Sequence, residues 1–192
     1  MKDTIRTFVA VEVTEAVRRQ AEVLVNDLQA GGADVKWVEP ENQHLTLKFL
    51  GEVASREIPR VCEAVQLGVA GFEPFELEIR GAGAFPTSAR PRTLWLGSGR
   101  GENEMVALQE QVDEQLGKLS FRSDRRRFHP HLTIGRVRRG GPGLKELAKL
   151  LADREDFQAG TVTVDKVLVF SSILERSGPI YQVLGTAKLG RK

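Results

Sequence analysis

His44-Leu45-Thr46-Leu47-Lys48-Phe49 returns later in the chain as His131-Leu132-Thr133-Ile134-Gly135-Arg136. Each copy reads His-Leu-Thr-aliphatic. In an extended strand successive side chains point to opposite faces. His44 and Thr46 therefore share one face and Leu45 and Leu47 the other, and the second copy repeats the division with His131 and Thr133 against Leu132 and Ile134. The apolar face can bury, leaving an imidazole and a hydroxyl on an open face. The chain holds three histidines, and two of them occupy equivalent places in this pattern.

Around these two strands the composition is that of a folded globular chain. Of 192 residues, 41% are hydrophobic and 28% charged, enough to bury a real core. The length suits one domain over residues 1–192, built as two similar lobes. The net charge of +2 argues against wholesale coating of nucleic acid. Charge is nonetheless local: Arg122, Arg125, Arg126, Arg127, Arg136, Arg138 and Arg139 gather about the second motif and would draw an anion there. The single Cys62 excludes an intramolecular disulfide, fits a reducing cytosol, and lies in a helical pattern that packs the thiol. The apolar run at 8–11 ends at Glu12, too short for a signal-peptide core, and no stretch approaches the roughly 18 apolar residues of a membrane helix. A cytoplasmic monomer with no membrane association is expected.

Residues 4–13 read as a strand, and Thr14 can cap a helix whose apolar face is Val17, Ala21, Leu24, Val25 and Leu28. A short strand at 35–38 and a turn at 41–43 lead into the first motif strand, which is predicted to close at Gly51. A second helix carries Val61, Val65 and Val69. Residues 75–79 alternate as a strand, and 81–86 is predicted to be a loop, because glycines often mark strand exits. A strand at 93–96, a helix with Met105, Leu108, Val112, Leu116 and Leu119, and the second motif strand follow. A short helix with Leu144, Leu147, Ala148 and Leu151, then strands at 161–164, 166–170 and 181–184, complete the chain. The fold class is α+β.

Two imidazoles on a shared cleft suit general acid–base chemistry near neutral pH. One can take a proton from an attacking oxygen while the other gives one to a leaving oxygen. Two threonine hydroxyls beside them can hold an anion, and a phosphodiester matches that set. Nothing in this set asks for a metal or other cofactor. The rival is a zinc site from His129, His131 and His44, but Pro130 interrupts that strand and the paired threonines would then have no purpose.

The segments around His44-Leu-Thr and His129-Pro-His131-Leu-Thr resemble the two signature motifs of the 2H phosphoesterase superfamily. The opening Arg6-Thr-Phe-Val-Ala-Val-Glu strand, Phe85-Pro86, residues 91–97 and residues 178–181 resemble its RNA 2′,3′-cyclic phosphodiesterase branch, also called 2′-5′ RNA ligase-like. The resemblance implies a bilobed α+β fold with two antiparallel sheets lining a central groove and helices outside. It implies metal-independent opening of RNA 2′,3′-cyclic phosphate ends, or of small cyclic nucleotides, to 2′-phosphomonoesters. A weak 2′-5′ RNA ligase activity is the reverse of a related hydrolysis. By the same resemblance His44 is the acid and His131 the base; the near-symmetric motifs do not decide between them. Thr46 and Thr133 would bind phosphate oxygens, and Arg136 matches a basic position of the motif, although strict alternation puts it on the face of Leu132. Arg127 is a second cation for the phosphate. Phe49, Phe85 and Tyr181 are candidates for stacking a base. The alternative is a nucleotide- or RNA-end-binding module with little turnover.

Overall fold

The computed structural model describes residues 3–123, 127–175 and 178–190. Arg125 and Arg126 of the arginine cluster lie outside the described residues. The strands are β1 (Thr4–Glu12), β2 (Val35–Trp37), β3 (His44–Ala54), β4 (Phe75–Thr87), β5 (Arg90–Ser98), β6 (Leu132–Val137), β7 (Gln158–Val164), β8 (Lys166–Leu174) and β9 (Pro179–Lys188). The helices are α1 (Glu15–Gln29), α2 (Ile58–Val69), α3 (Glu102–Gly117) and α4 (Gly143–Ala152).

All strand pairs are antiparallel and run in the order β7-β4-β5-β6-β3-β1-β8-β9, with β2 added to β6. The two motif strands, β3 and β6, are therefore central neighbours. Each heads its own lobe: β3-β1-β8-β9 on one side and β6-β5-β4-β7 on the other. One rung, Leu45 opposite Leu132, joins them. The α+β class implied by the motifs is the one observed, but the two sheets expected to line the groove are a single curled antiparallel sheet, continuous through that rung, with the helices packed on one side of it.

Local chemistry explains the elements. Thr14 caps α1, its Oγ1 accepting the Val17 N–H at 3.3 Å. Val17, Ala21, Leu24, Val25 and Leu28 form the buried stripe of that helix, as their spacing requires. Pro59 sits in the first turn of α2, where a missing N–H costs nothing. Gly68 lets α2 press on α3: a Cβ there would lie 2.7 Å from the Val112 Cα. The main core gathers Val9 and Val11 of β1, Leu45 and Leu47 of β3, Leu132 and Ile134 of β6 and the inner faces of the helices. The opposite face of the β3 lobe carries a small separate cluster of Phe8, Ala10, Leu168 and Phe170, against which Tyr181 packs. Cys62 is half-buried, with its Sγ 3.9 Å from the Leu184 carbonyl, and burial raises its pKa, so the thiol is a packing group.

Two elements depart from expectation. Residues 81–86 form no loop: β4 runs through them and pairs with β5 as far as Thr87. Gly83 is there for close approach, since a Cβ on it would fall 2.3 Å from the Trp95 ring across the ladder. Likewise β3 does not close at Gly51 but continues to Ala54, with Gly51 at φ 73° where the register against β1 shifts. In both places glycine marks a distortion inside a strand rather than its end.

Leu132 is fully buried at the rung between the lobes. Leu132→Ala is expected to cost about 2–5 kcal/mol of unfolding free energy, read from denaturant midpoints, because it empties core volume on both sides of the joint.

Candidate active site

The Leu45–Leu132 rung dictates the register on the other face of β3 and of the segment entering β6. In an antiparallel pair His44 then stands across from Thr133, and Thr46 across from His131. Facing Cβ atoms in such pairs are about 5 Å apart and diagonal ones about 7–8 Å. The four side chains form a quartet with its histidines on one diagonal and its threonines on the other. All four are half-buried.

Each imidazole is held by the same device. His44 Nδ1 is 2.8 Å from the Asn42 carbonyl, and His131 Nδ1 is 2.7 Å from the His129 carbonyl, in both cases two residues back. A carbonyl oxygen only accepts, so each Nδ1 carries its proton and donates. The Nε2 atom of each ring is thereby left for the groove. The anchoring segments are themselves tied down. Asn42 Nδ2 donates to the Pro179 carbonyl at 3.2 Å, and Ser98 Oγ lies 3.4 Å from the Pro130 carbonyl. His129 thus contributes its backbone to the site.

Aromatic rings brace both histidines. Phe8 stacks on His44 at 4.8 Å between centroids, Tyr181 meets it edge-on at 5.3 Å, and Phe170 lies 5.2 Å behind Phe8. Phe85 meets His131 edge-on at 5.0 Å and leans on Trp95 at 5.1 Å. Phe85 and Tyr181 accordingly sit beside the imidazoles. Phe49 leans on Phe8 at 6.0 Å from the outer edge of this packing and is 65% exposed.

Strict alternation mispredicts the sixth residue of both motifs. On β3, Val9 faces Lys48 and Ala10 faces Thr46, so Leu47 is an extra residue; Leu47 and Lys48 both turn inward and Phe49 emerges. On β6, Leu94 faces Gly135 and Trp95 faces Thr133, so Ile134 is extra; Ile134 and Gly135 both turn inward and Arg136 emerges. A β-bulge at the same place in each motif thus reverses the parity. Arg136 comes out on the face of His131 and Thr133, with Nη1 3.5 Å from Thr93 Oγ1. The inward Lys48 is accommodated by Asp113 of α3 and by the Arg122 carbonyl at 2.9 Å. Arg127 is exposed on the irregular approach to β6, so no strand aligns it with His131.

Alternation along β1 places Arg6 on the face of Phe8, Ala10 and Glu12. Arg6 and Arg136 both act on Tyr181: burial pushes its phenol up, and the two guanidiniums oppose that shift. Arg6 and Phe8 escaped the sequence reading because residues 8–11 are apolar on both faces, which hides the period. Among the described residues no three His, Cys, Asp or Glu side chains gather as a metal site, and no helix is long and apolar enough to cross a membrane.

Burial dominates the electrostatics. It lowers the His44 pKa from 6.5 to about 4, against the Asn42 hydrogen bond, which favours the charged ring. It lowers His131 too, opposed by the hydrogen bond to the His129 carbonyl and assisted by the neighbouring Arg136 guanidinium. Both rings are therefore neutral at pH 7 in the free protein. A histidine whose folded pKa lies below its unfolded value costs stability as pH falls from the unfolded pKa toward the folded one, because the unfolded chain takes up the proton first. For His44 stability is expected to drop by about 3 kcal/mol or less between about pH 6.5 and 4, and the lowered His131 adds a loss of the same sign. His44→Asn should flatten that slope in pH-dependent unfolding; an unchanged slope would contradict the burial.

Comparisons with known proteins agree with this fold. The profile of the 2′-5′ RNA ligase superfamily matches residues 8–173. The chain is 38% identical to the RNA 2′,3′-cyclic phosphodiesterase of Methanothermobacter thermautotrophicus, over 92% of this chain and 95% of that one. It is 40% identical to the protein of the same name from Archaeoglobus fulgidus, over 93% and 97%. Among solved structures, TT0787 of Thermus thermophilus superposes with a TM-score of 0.80 at 25% identity, over 96% of this chain and 98% of that one. Apo LigT of E. coli superposes with a TM-score of 0.77 at 23% identity, over 98% and 99%, and speaks for the fold. A match across nearly the whole chain, and a sheet whose two His-x-Thr strands meet at its centre, make this chain a member of the 2′-5′ RNA ligase superfamily.

Proposed function

We propose that this protein is a phosphoric diester hydrolase that opens RNA 2′,3′-cyclic phosphate ends to 2′-phosphomonoesters without a metal. The observation that carries the reading is the quartet: two histidines with Nδ1 donated to a carbonyl and Nε2 free, interleaved with two threonines across one antiparallel rung. The relatives named RNA 2′,3′-cyclic phosphodiesterase support the substrate class.

The cyclic phosphate sits over the quartet with its non-bridging oxygens toward Thr46 and Thr133, and the Arg136 guanidinium offsets its charge. His131 Nε2 takes a proton from water as the water oxygen bonds to phosphorus. The bond from phosphorus to the 3′-oxygen breaks on the opposite side, and His44 Nε2 supplies that oxygen with a proton. The product is the 2′-monoester, with His131 protonated and His44 neutral. Exchange with solvent resets the pair. Burial leaves His44 unprotonated in the free enzyme at neutral pH, so the substrate's own negative charge, brought next to the ring, is what favours loading the acid. Phe49 and Arg127 lie outside the packed quartet and are offered to the RNA chain beyond the terminal phosphate. End-joining through a 2′-5′ bond is a slow reverse reaction on this machinery, opposed by water.

Purified protein in excess chelator should open a 2′,3′-cyclic phosphate at the rate seen without it. His44→Ala and His131→Ala should each lose on the order of 10²–10⁴ in kcat. An aryl phosphodiester, whose phenolate departs without a proton, should restore His44→Ala and not His131→Ala; the opposite pattern would exchange the two roles. Because both imidazole pKa values are lowered, the bell of kcat/KM, which reports the free enzyme, should centre below pH 6.5. The bell of kcat should lie to its alkaline side, as the bound anion raises both groups. Coincident bells above pH 7 would contradict this account.

A further inference from the structure

Beside His44 lies a cavity of about 390 Å³ whose lining includes Arg18, Gln43, Phe170, Tyr181 and Val183, together with Glu12 and Glu41. Its volume falls within the roughly 300–1,000 Å³ of small-ligand sites. Gln43 is 2% exposed, and neither atom of its amide has a hydrogen-bond partner among the described residues. The Arg18 Nε is buried in the same condition. Buried polar groups are almost always paired, and leaving them unpaired is costly, so a cavity lined by two residues that carry such groups suits a polar occupant.

We propose that this cavity is a base-reading subsite, in which the Gln43 carboxamide hydrogen-bonds the edge of the nucleobase on the ribose that carries the cyclic phosphate. The inference rests on the reaction proposed above and adds to it which part of the substrate lies where. The departing 3′-oxygen and the base belong to one ribose. The base must accordingly fall on the flank of the histidine that protonates that oxygen, and this cavity flanks His44 and not His131. A carboxamide presents donors and an acceptor side by side, the pairing that base edges offer. Phe170 and Tyr181 supply aromatic surface for the ring. The charges lining the cavity, Arg18 against Glu12 and Glu41, give no surplus of positive charge for a second phosphate, which sets a neutral base above another anion as the occupant.

The test uses the whole protein and its Gln43→Leu and Val183→Trp variants. Leucine keeps the volume of Gln43 while removing the amide. Val183 is 52% exposed, so tryptophan there fills the cavity from outside without disturbing the core. Rates are measured on the 2′,3′-cyclic phosphates of adenosine, guanosine, cytidine and uridine, and on a base-free ribose analogue. Wild type is expected to spread over about tenfold or more in kcat/KM among the four bases, and Gln43→Leu to narrow that spread to within about threefold. Val183→Trp should lower the ratio of base-bearing to base-free turnover by about tenfold. The proposal is overturned if wild type shows no spread, if the spread survives in Gln43→Leu while Tm rises, or if Val183→Trp slows base-free and base-bearing substrates alike. Should wild type turn over none of the five, the reaction itself is wrong. Calorimetric affinities for the four nucleoside 2′-monophosphates then decide the subsite by the same comparison.

Discussion

A single rung, Leu45 against Leu132, joins the two halves of the sheet, and the geometry of the site follows from that register. Because an antiparallel pair alternates faces, burying those two leucines in the core brings His44, Thr46, His131 and Thr133 together on the other side. A slip of one residue would send the imidazoles into the core and the leucines into the groove. The core's demand for apolar surface is thus also what aligns the polar quartet. Burial of Val9, Val11, Ile134 and the inward faces of the helices makes any other register expensive.

The lobes repeat local structure, with little repetition of sequence beyond the motifs. Both histidines donate Nδ1 to a carbonyl two residues back, both are braced edge-on by an aromatic ring, and both strands bulge after the threonine. The bulge changes the face of the sixth residue, and there the lobes diverge: a bare phenyl ring emerges on one side and a guanidinium on the other. Two near-equal imidazoles thereby acquire unequal surroundings. His44 is the more enclosed, between Phe8 and Tyr181, while His131 has Arg136 for a neighbour. An acid and a base can differ in role through such surroundings even when their backbone settings match.

Enclosing both rings has opposing consequences. It removes charge from the free protein at neutral pH and costs stability in acid. It also leaves two lone pairs in a groove whose guanidiniums, Arg6 and Arg136, favour an anion. The amide of Gln43, unpaired among the described residues, has the same character: a local cost to the free fold, held beside His44, where a ligand could relieve it.

The motif strands, the four helices and the identity of the quartet were legible in the sequence, because each rests on a period of two or near four that apolar burial enforces over several residues. Residues 81–86 and Gly51 misled because a glycine looks the same in sequence whether it ends a strand, makes room for Trp95 or bends a ladder. The faces of Arg136 and Phe49 were not legible either. A bulge is decided by how a strand fits its neighbours β5 and β1, and no single strand encodes that. Arg6, Phe8 and the Gln43 cavity likewise exist only once distant segments are packed together. Periodicity is local, so one chain read alone could supply the strands and their histidines; register, bulges and burial are properties of pairs of segments, and only the tertiary structure decided them.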